Sequence, residues 1–409
     1  MASRKETWKK LTGVLFGCLI LFHGVANPVF EQLDISQHLK NLCNPLNSDR
    51  TLAFSNDFYL TTPTIKDQAF GNDLNFSPPQ LLTSSTQPQT LFNLMSYQEV
   101  LPITITVDMD TIKSYRNSKE DIKATIHFKD KNAELLEWDA KLEIRGRFRR
   151  THCVVPPLKL NFKKSQLRAA GLAAFDDFDL VTHCLHEPDW AKELVMKEYL
   201  AYKLYNEITP YSYRVQMIKI TFKNLDTGKE DEMWGFLVED TAELSARINA
   251  EKLDTLIISP HDLDESSFNN MFIFQSMIGN VDWGIKPIRN LKLFRREEAF
   301  IPIPYDFDFS ALVDAPYAKF TVNSFLRSKE QLKLLDNPGW PPPLKTTLSF
   351  FQSKREAMLN TIQKATILPL ASLDWVVRHI DAYLNQPYRM VIPTQEALLL
   401  KEKSEGDEK

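Results

Sequence analysis

Two aspartates and an asparagine stand at a spacing that could bring hard oxygen ligands to one point. Ser266–Ile278 is an aromatic-rich segment that reads as a buried helix, and Gly279-Asn280-Val281-Asp282-Trp283 follows it. Then come Asn290, Leu291–Arg296, Glu297-Glu298 and Ala299–Tyr305, leading into Asp306-Phe307-Asp308. If Glu297-Glu298 is a two-residue turn, Asn290 lies opposite Tyr305 and beside Asp306. The hairpin then delivers an amide oxygen and a carboxylate beside Asp282, a donor set that suits Mg²⁺ or Mn²⁺. The plainer reading is that Asp282 and Asn290 cap turns and Asp306 closes the hairpin.

Glu198 is the other residue that asks for a chemical explanation. Its helical neighbours Leu194, Val195, Ala201 and Tyr202 form an apolar stripe, so its carboxylate is costly there without a cation. Glu193, by contrast, has Lys197 four residues on. Lys159, in the strand-like Leu158–Phe162, is the natural partner; the pair could be functional or simply a buried structural one. Together the two sets supply the parts of phosphoryl transfer, in the right chain order. Lys159 would hold phosphate oxygens and be positioned by Glu198, Asp282 would accept the acceptor's proton, and Asn290 and Asp306 would hold metal.

Alternating or β-branched runs predict the strands that position these groups: Leu101–Val107, Ile122–Phe128, Leu135–Ile144, Leu158–Phe162, Phe178–Thr182, Arg214–Phe222 and Met233–Val238. Trp190–Ile208 predicts a long helix stopped by Thr209-Pro210, and Leu344–Ala365 and Leu373–Leu384 predict amphipathic helices. The layout is α+β and two-lobed, an N-terminal antiparallel sheet with one helix followed by a mainly helical C-terminal lobe. The expected divisions are a leader at 1–26, an irregular extension at 27–100, a mainly β lobe at 101–240 and a second lobe with the hairpin at 241–336. Helices at 337–400, opening on the stiff Asn337–Pro343 break, and a charged tail at 401–409 complete it.

Composition limits the function classes. The 409 residues carry 49 Lys+Arg against 53 Asp+Glu, a formal charge of −4, which argues against a broad electrostatic grip on nucleic acid. Basic residues, the apolar run Leu11–Phe22 and Gly24-Val25-Ala26 have the order of a cleaved secretory signal. No apolar run beyond it reaches the ~18 residues of a membrane span. Cys18 sits in a loose lipoprotein-like box, so lipidation is an open alternative. A secreted, periplasmic or envelope location makes a Cys153–Cys184 disulfide the leading expectation, with a metal site using His152, His183 and His186 as the rival.

The run Lys141–Gly146, Leu158–Lys164, Glu198–Leu204, Trp234–Glu239, Gly279–Trp283 and Pro304–Asp308 resembles the spore-coat CotH-type kinases over residues of roughly 100–315. The resemblance implies an atypical, two-lobed protein-kinase-like fold that uses ATP and Mg²⁺ or Mn²⁺ to phosphorylate Ser or Thr of secreted proteins. It makes Asp282 the catalytic Asp, Asp306 the metal Asp, Asn290 a second metal ligand and Glu239 part of the segment joining the lobes. The chain departs from the pattern in the long Asp282-to-Asn290 gap, in Ser310-Ala311 where a glycine is usual, and in lacking a glycine-rich phosphate loop. Arg145-Gly146-Arg147-Phe148-Arg149-Arg150 would grip phosphate instead, with Arg145 leading, or form a solvated tip or a contact for an acidic partner. Two other readings stay open: a non-catalytic secreted binding or surface-assembly protein, and a glycosidase or metal-dependent hydrolase using Asp282, Asp306 and Asp308.

Overall fold

The computed structural model describes residues 89–318 and 344–385, except 118–119, 147–148, 151–152, 154, 185–187, 256–257, 260–261, 281 and 286. The expected leader, nearly all of the 27–100 extension, the Asn337–Pro343 break, the charged tail, and His152 and His186 lie outside the described residues.

Seven strands close into a barrel: β1 (Val100–Val107), β2 (Ile122–Lys129), β3 (Leu135–Ile144), β4 (Leu158–Phe162), β5 (Asp177–Thr182), β6 (Val215–Asn224) and β7 (Glu230–Val238). The order round the barrel is β1-β2-β3-β4-β5-β7-β6. Period-2 alternation builds its interior: Trp138, Ala140, Leu142 and Ile144 from β3 and Leu158, Leu160 and Phe162 from β4 enter one core with Ile218, Ile220 and Phe222 from β6. Two short helices add to the same core. Leu91, Phe92 and Met95 come from α1 (Leu91–Met95), which Thr90 caps by accepting from the Asn93 N–H, and Met109 and Ile112 come from α2 (Met109–Ser114).

This architecture corrects the expectation of a two-lobed protein-kinase-like fold with an antiparallel N-terminal sheet. β1 pairs antiparallel with β2 on one side but parallel with β6 on the other, in register from Val100↔Met217 to Val107↔Asn224. That one parallel pairing removes the sheet's free edges and makes the sheet mixed and closed. The stretch between strands also holds α3 (Lys164–Ala169), so the long helix is not the sheet's sole helical companion.

The outer face of the barrel carries the long helix, α4 (Pro188–Ile208). Tyr199 and Tyr202 of α4 meet Phe236 on β7 at ring separations of 6.0 and 5.6 Å. After β7 come α5 (Thr241–Ile248), β8 (Glu251–Leu253) and α6 (Glu265–Met277). Helix α6 is buried on most sides, with the polar Ser267, Asn269 and Gln275 buried beside Phe268, Met271, Phe272, Ile273, Phe274 and Met277, the position of a core helix. The short β9 (Gly284–Ile285) and β10 (Ile288–Arg289) pair together, and β11 (Leu291–Arg296) and β12 (Ala299–Pro304) form the expected hairpin, joined by β8. The helix expected over 344–365 is two, α7 (Leu344–Ser353) and α8 (Arg355–Lys364), broken at Lys354; α9 (Leu370–Asn385) follows. Thr361 of α8 and Ser372 of α9 bond Glu207 and Glu193 of α4, at 2.7 and 2.6 Å, and His379 of α9 reaches the Met277 carbonyl of α6 at 2.8 Å. The C-terminal helices thus brace the two helices that border the site. Among the described residues, no helix is long and apolar enough to cross a membrane.

Candidate functional site

The β11–β12 hairpin places the first cluster. Its register runs from Arg296↔Ala299 to Leu291↔Pro304, and the Tyr305 N–H donates to the Asn290 carbonyl at 3.1 Å, so the ladder ends on those two residues. Asn290 and Asp306 both adopt left-handed backbone, with φ of 50° and 65°. Asn and Asp tolerate that region best, and it turns both chains away at the open end of the hairpin. The Asn290 amide nitrogen donates to the Asp282 carbonyl at 2.7 Å and to Asp282 Oδ2 at 3.1 Å. Arg289 lies 3.4 Å from Asp282 Oδ1, and the Asp282 N–H donates to Asn280 Oδ1 at 3.0 Å. Asp282 is therefore oriented from three sides and still half-exposed.

The turn before it needs a glycine. Gly279 has φ +64°, and a Cβ there would lie 2.7 Å from the Ala311 Cβ. The close approach lets residues 310–312 pack on the α6 end: the Ala311 and Leu312 N–H groups donate to the carbonyls of Gly279 and Ile278.

Helix α4 and the barrel supply the opposite wall. The Asp306 N–H donates to the Tyr202 hydroxyl at 2.8 Å, and Glu198 lies one turn earlier on α4. Glu198 is buried, and its cation is Arg149, with Nη1 at 3.8 Å; Arg149 also donates from Nη2 to the Thr182 carbonyl at 2.6 Å. Burial, then the nearby Asp308 charge, pushes the Glu198 carboxyl well above the usual carboxylate range, and Arg149 only partly offsets this. Asp308, also buried, is pushed up to about 7 by burial and by Asp306; it accepts from the Tyr317 hydroxyl at 3.2 Å. Arg145 ion-pairs with Asp179 of β5.

Lys159 is not the partner of Glu198. Lys159 projects outward between β3 and β5, where Asp177 takes its ammonium at 2.9 Å and Glu143 and Asp179 add their field. Glu239 is buried too and fully used by the protein: it ion-pairs with Arg214 and Arg247, each at 2.6 Å, and accepts the Arg214 N–H. It is also missing from the cleft lining, as are Asp282 and Asn290. The basic run 145–150 points into the structure through Arg145 and Arg149, which rules out a solvated tip for those two residues. A disulfide joins Cys153 to Cys184, as expected, with Cα atoms 4.3 Å apart, and so ties the Arg149 segment to the end of β5. His183 accepts the Trp234 N–H at Nδ1, at 3.4 Å, and the cysteines are not metal ligands.

Arg145, Asp179, Glu198, Tyr202, Lys292 and Asp306 line a cleft of 20 Å³, room for about one water. Lys292, which sequence reasoning missed, bonds Thr241 Oγ1 at 2.9 Å and lies over the rings of Tyr213 and Tyr305 at 5.4 and 5.3 Å. Burial pulls its ammonium below the ordinary lysine range. The hairpin register could have found it, since it sets Lys292 opposite Ile303, a buried position. Arg149 had a weaker signal, as one cation in a basic run.

Among the described residues, no three His, Cys, Asp or Glu side chains gather closely enough to hold a metal alone. Asp306 and the Asn290 amide oxygen, carried by the two chains at the hairpin's open end, are two hard donors. That number fits Mg²⁺ shared with a polyphosphate and water rather than a closed protein cage.

No family model matches the chain, and no curated protein matches it. Among solved structures it is similar to a chain of the HipA, HipB and operator DNA complex from the toxin–antitoxin system of Shewanella oneidensis MR-1. That likeness has 12% identity and a TM-score of 0.27 over 53% of this chain and 58% of that one, so the chain spans little more than half of that structure's length.

Proposed function

We propose that the cleft is the active site of a CotH-type phosphotransferase, which moves the ATP γ-phosphoryl group to a Ser or Thr hydroxyl of a secreted or envelope protein. The observation that carries this reading is that one hairpin end holds Asn290, bonded to Asp282, on one chain and leads on the other into Asp306, which lines the cleft with Arg145. Asp306 and Asn290 would hold Mg²⁺ or Mn²⁺, which supplies charge neutralisation of the phosphates when bound. Asp282, oriented by Asn290 and Arg289, takes the proton of the acceptor hydroxyl. The hydroxyl oxygen forms the new bond to phosphorus, and ADP leaves with the electron pair of the broken β–γ bridge bond. Lys159 and Glu239 have no part in this reading, because both pair with other charges away from the cleft lining. The disulfide supports an oxidising, extracytoplasmic compartment.

One observation favours the non-catalytic alternative, a secreted binding or surface-assembly protein. Arg145 is closed onto Asp179, and the cleft has room for about one water, so a nucleotide enters only if the hairpin and barrel wall part. ADP formation with Mn²⁺ and a casein acceptor separates the two. The phosphotransferase reading predicts turnover that Asp282→Asn lowers by about 100-fold or more with ATP affinity kept, and that Asp306→Ala abolishes. Absence of ADP formation in the wild-type protein would leave the binding reading.

A further inference from the structure

Arg145 and Lys292 line the cleft, the fields of Arg145, Lys159 and Lys252 reach Lys292, and three of these four cations are answered by carboxylates. Arg145 pairs with Asp179, Lys159 with Asp177 and Lys252 with Asp254. Lys292 is the fourth. It makes no ion pair among the described residues, and the carboxylate whose field reaches it, Asp179, is already taken by Arg145. Its ammonium, half-buried among these like charges, rests on the Thr241 hydroxyl and two tyrosine faces. Such contacts offset part of the desolvation of a cation but leave its charge without an anion. The other acidic side chains that line the cleft do not change this, because Glu198 is answered by Arg149 and the Asp306 field acts on Arg145 and Arg149.

The position is also informative. Lys292 lies on β11, two residues after Asn290, and the Tyr305 ring beside it belongs to the residue before Asp306. An anion at Lys292 would therefore share the cleft with Asp306. A carboxylate from the chain could have filled this place, and none does among the described residues.

We infer that Lys292 is the oxyanion-binding group of the cleft, and that its ligand is a diphosphate or triphosphate, which enters as the hairpin and barrel wall part. The ligand class rests on the phosphotransferase reading; the unanswered cation does not. Lys292 thereby takes the phosphate-holding place that Lys159 vacates, from the hairpin rather than from the barrel.

The test is calorimetric titration of the full chain with inorganic pyrophosphate and Mg²⁺, beside Lys292→Met, Lys292→Arg and the exposed control Lys113→Met. Wild type is expected to bind. Lys292→Met should weaken binding by about tenfold or more, Lys292→Arg should restore most of it, and Lys113→Met should leave it unchanged. Melting of Lys292→Met should match or exceed wild type, since a cation without an ion-pair partner is being removed. If Lys292→Met does not fold, Lys292→Gln, which keeps a donor for Thr241, carries the same expectation. Failure of both to fold would mark Lys292 as structural and overturn the inference, as would wild type that ignores pyrophosphate or Lys292→Met that binds it normally. Pyrophosphate binding that depends on Lys292, without phosphoryl transfer from ATP, would keep the anion site and remove the transferase reading. Transfer at unchanged KM in Lys292→Met would do the reverse.

Discussion

Replacing Arg149 with methionine should be among the most damaging single changes near the cleft. The Glu198 side chain is 3% exposed and that of Arg149 13%, so the pair is nearly free of solvent screening. Methionine keeps much of the side-chain volume but leaves Glu198 and Asp308 without their cation and the Thr182 carbonyl without its 2.6 Å donor. Orphaning a buried charge in this way costs about 3–5 kcal/mol. At ~2–4 °C per kcal/mol for a chain of this size, the melting midpoint should fall by on the order of 10 °C. Adding Glu198→Gln should return about 1–3 kcal/mol, because the second change removes the charge the first one stranded. Lys159→Met is the internal comparison. Its pair with Asp177 is 31% and 36% exposed, so its loss should cost less than about 1 kcal/mol. Urea melts of the four proteins check this. Equal loss from Arg149→Met and Lys159→Met, or no recovery in the double variant, would refute the assignment of Arg149 to Glu198.

Removing the disulfide by Cys153→Ala with Cys184→Ala should cost about 3–4 kcal/mol, from a sequence separation of 31, read as the difference in urea midpoint from the oxidised wild type. Gly279→Ala should cost about 2–3 kcal/mol, since the new Cβ meets both a left-handed backbone and the Ala311 Cβ; thermal melts report it. His183 is held below its ordinary value of 6.5, chiefly by burial, so the unfolded chain binds the proton more readily. Its contribution to stability is full above pH 6.5 and is lost as pH falls through the lower folded value. Melting between pH 7 and 5 should therefore fall more steeply in wild type than in His183→Asn, and equal slopes would contradict this.

Local pattern made much of this molecule legible. Alternation in Leu135–Ile144 and Leu158–Phe162 sets those strands to the residue, and the two-residue turn at Glu297-Glu298 sets the hairpin register that brings Asn290 to Tyr305 and Asp306. Barrel closure was not legible, because β1 meets β6 in parallel across more than a hundred residues of chain and nothing in either strand marks the partner. The Lys159 error has a local cause. Alternation does put Lys159 on the outer face with Glu143, but Asp177 and Asp179 share that face on the next strand and intercept it before α4 is reached. Arg149 could not be chosen over its neighbours because its place depends on the disulfide and on which barrel face α4 covers. Lys292 lay within reach of the same hairpin register that found Asn290.

Intact mass of the purified protein after incubation with ATP and Mn²⁺, with Asp306→Ala beside it, tests the central claim most directly. The account predicts one or more added phosphates (about 80 Da each) in wild type and none in Asp306→Ala, because the metal and the phosphoryl group meet at the hairpin end. No added mass in wild type, together with no thermal shift from ATP, would contradict phosphoryl transfer. It would leave the hairpin cluster as turn chemistry in a binding protein.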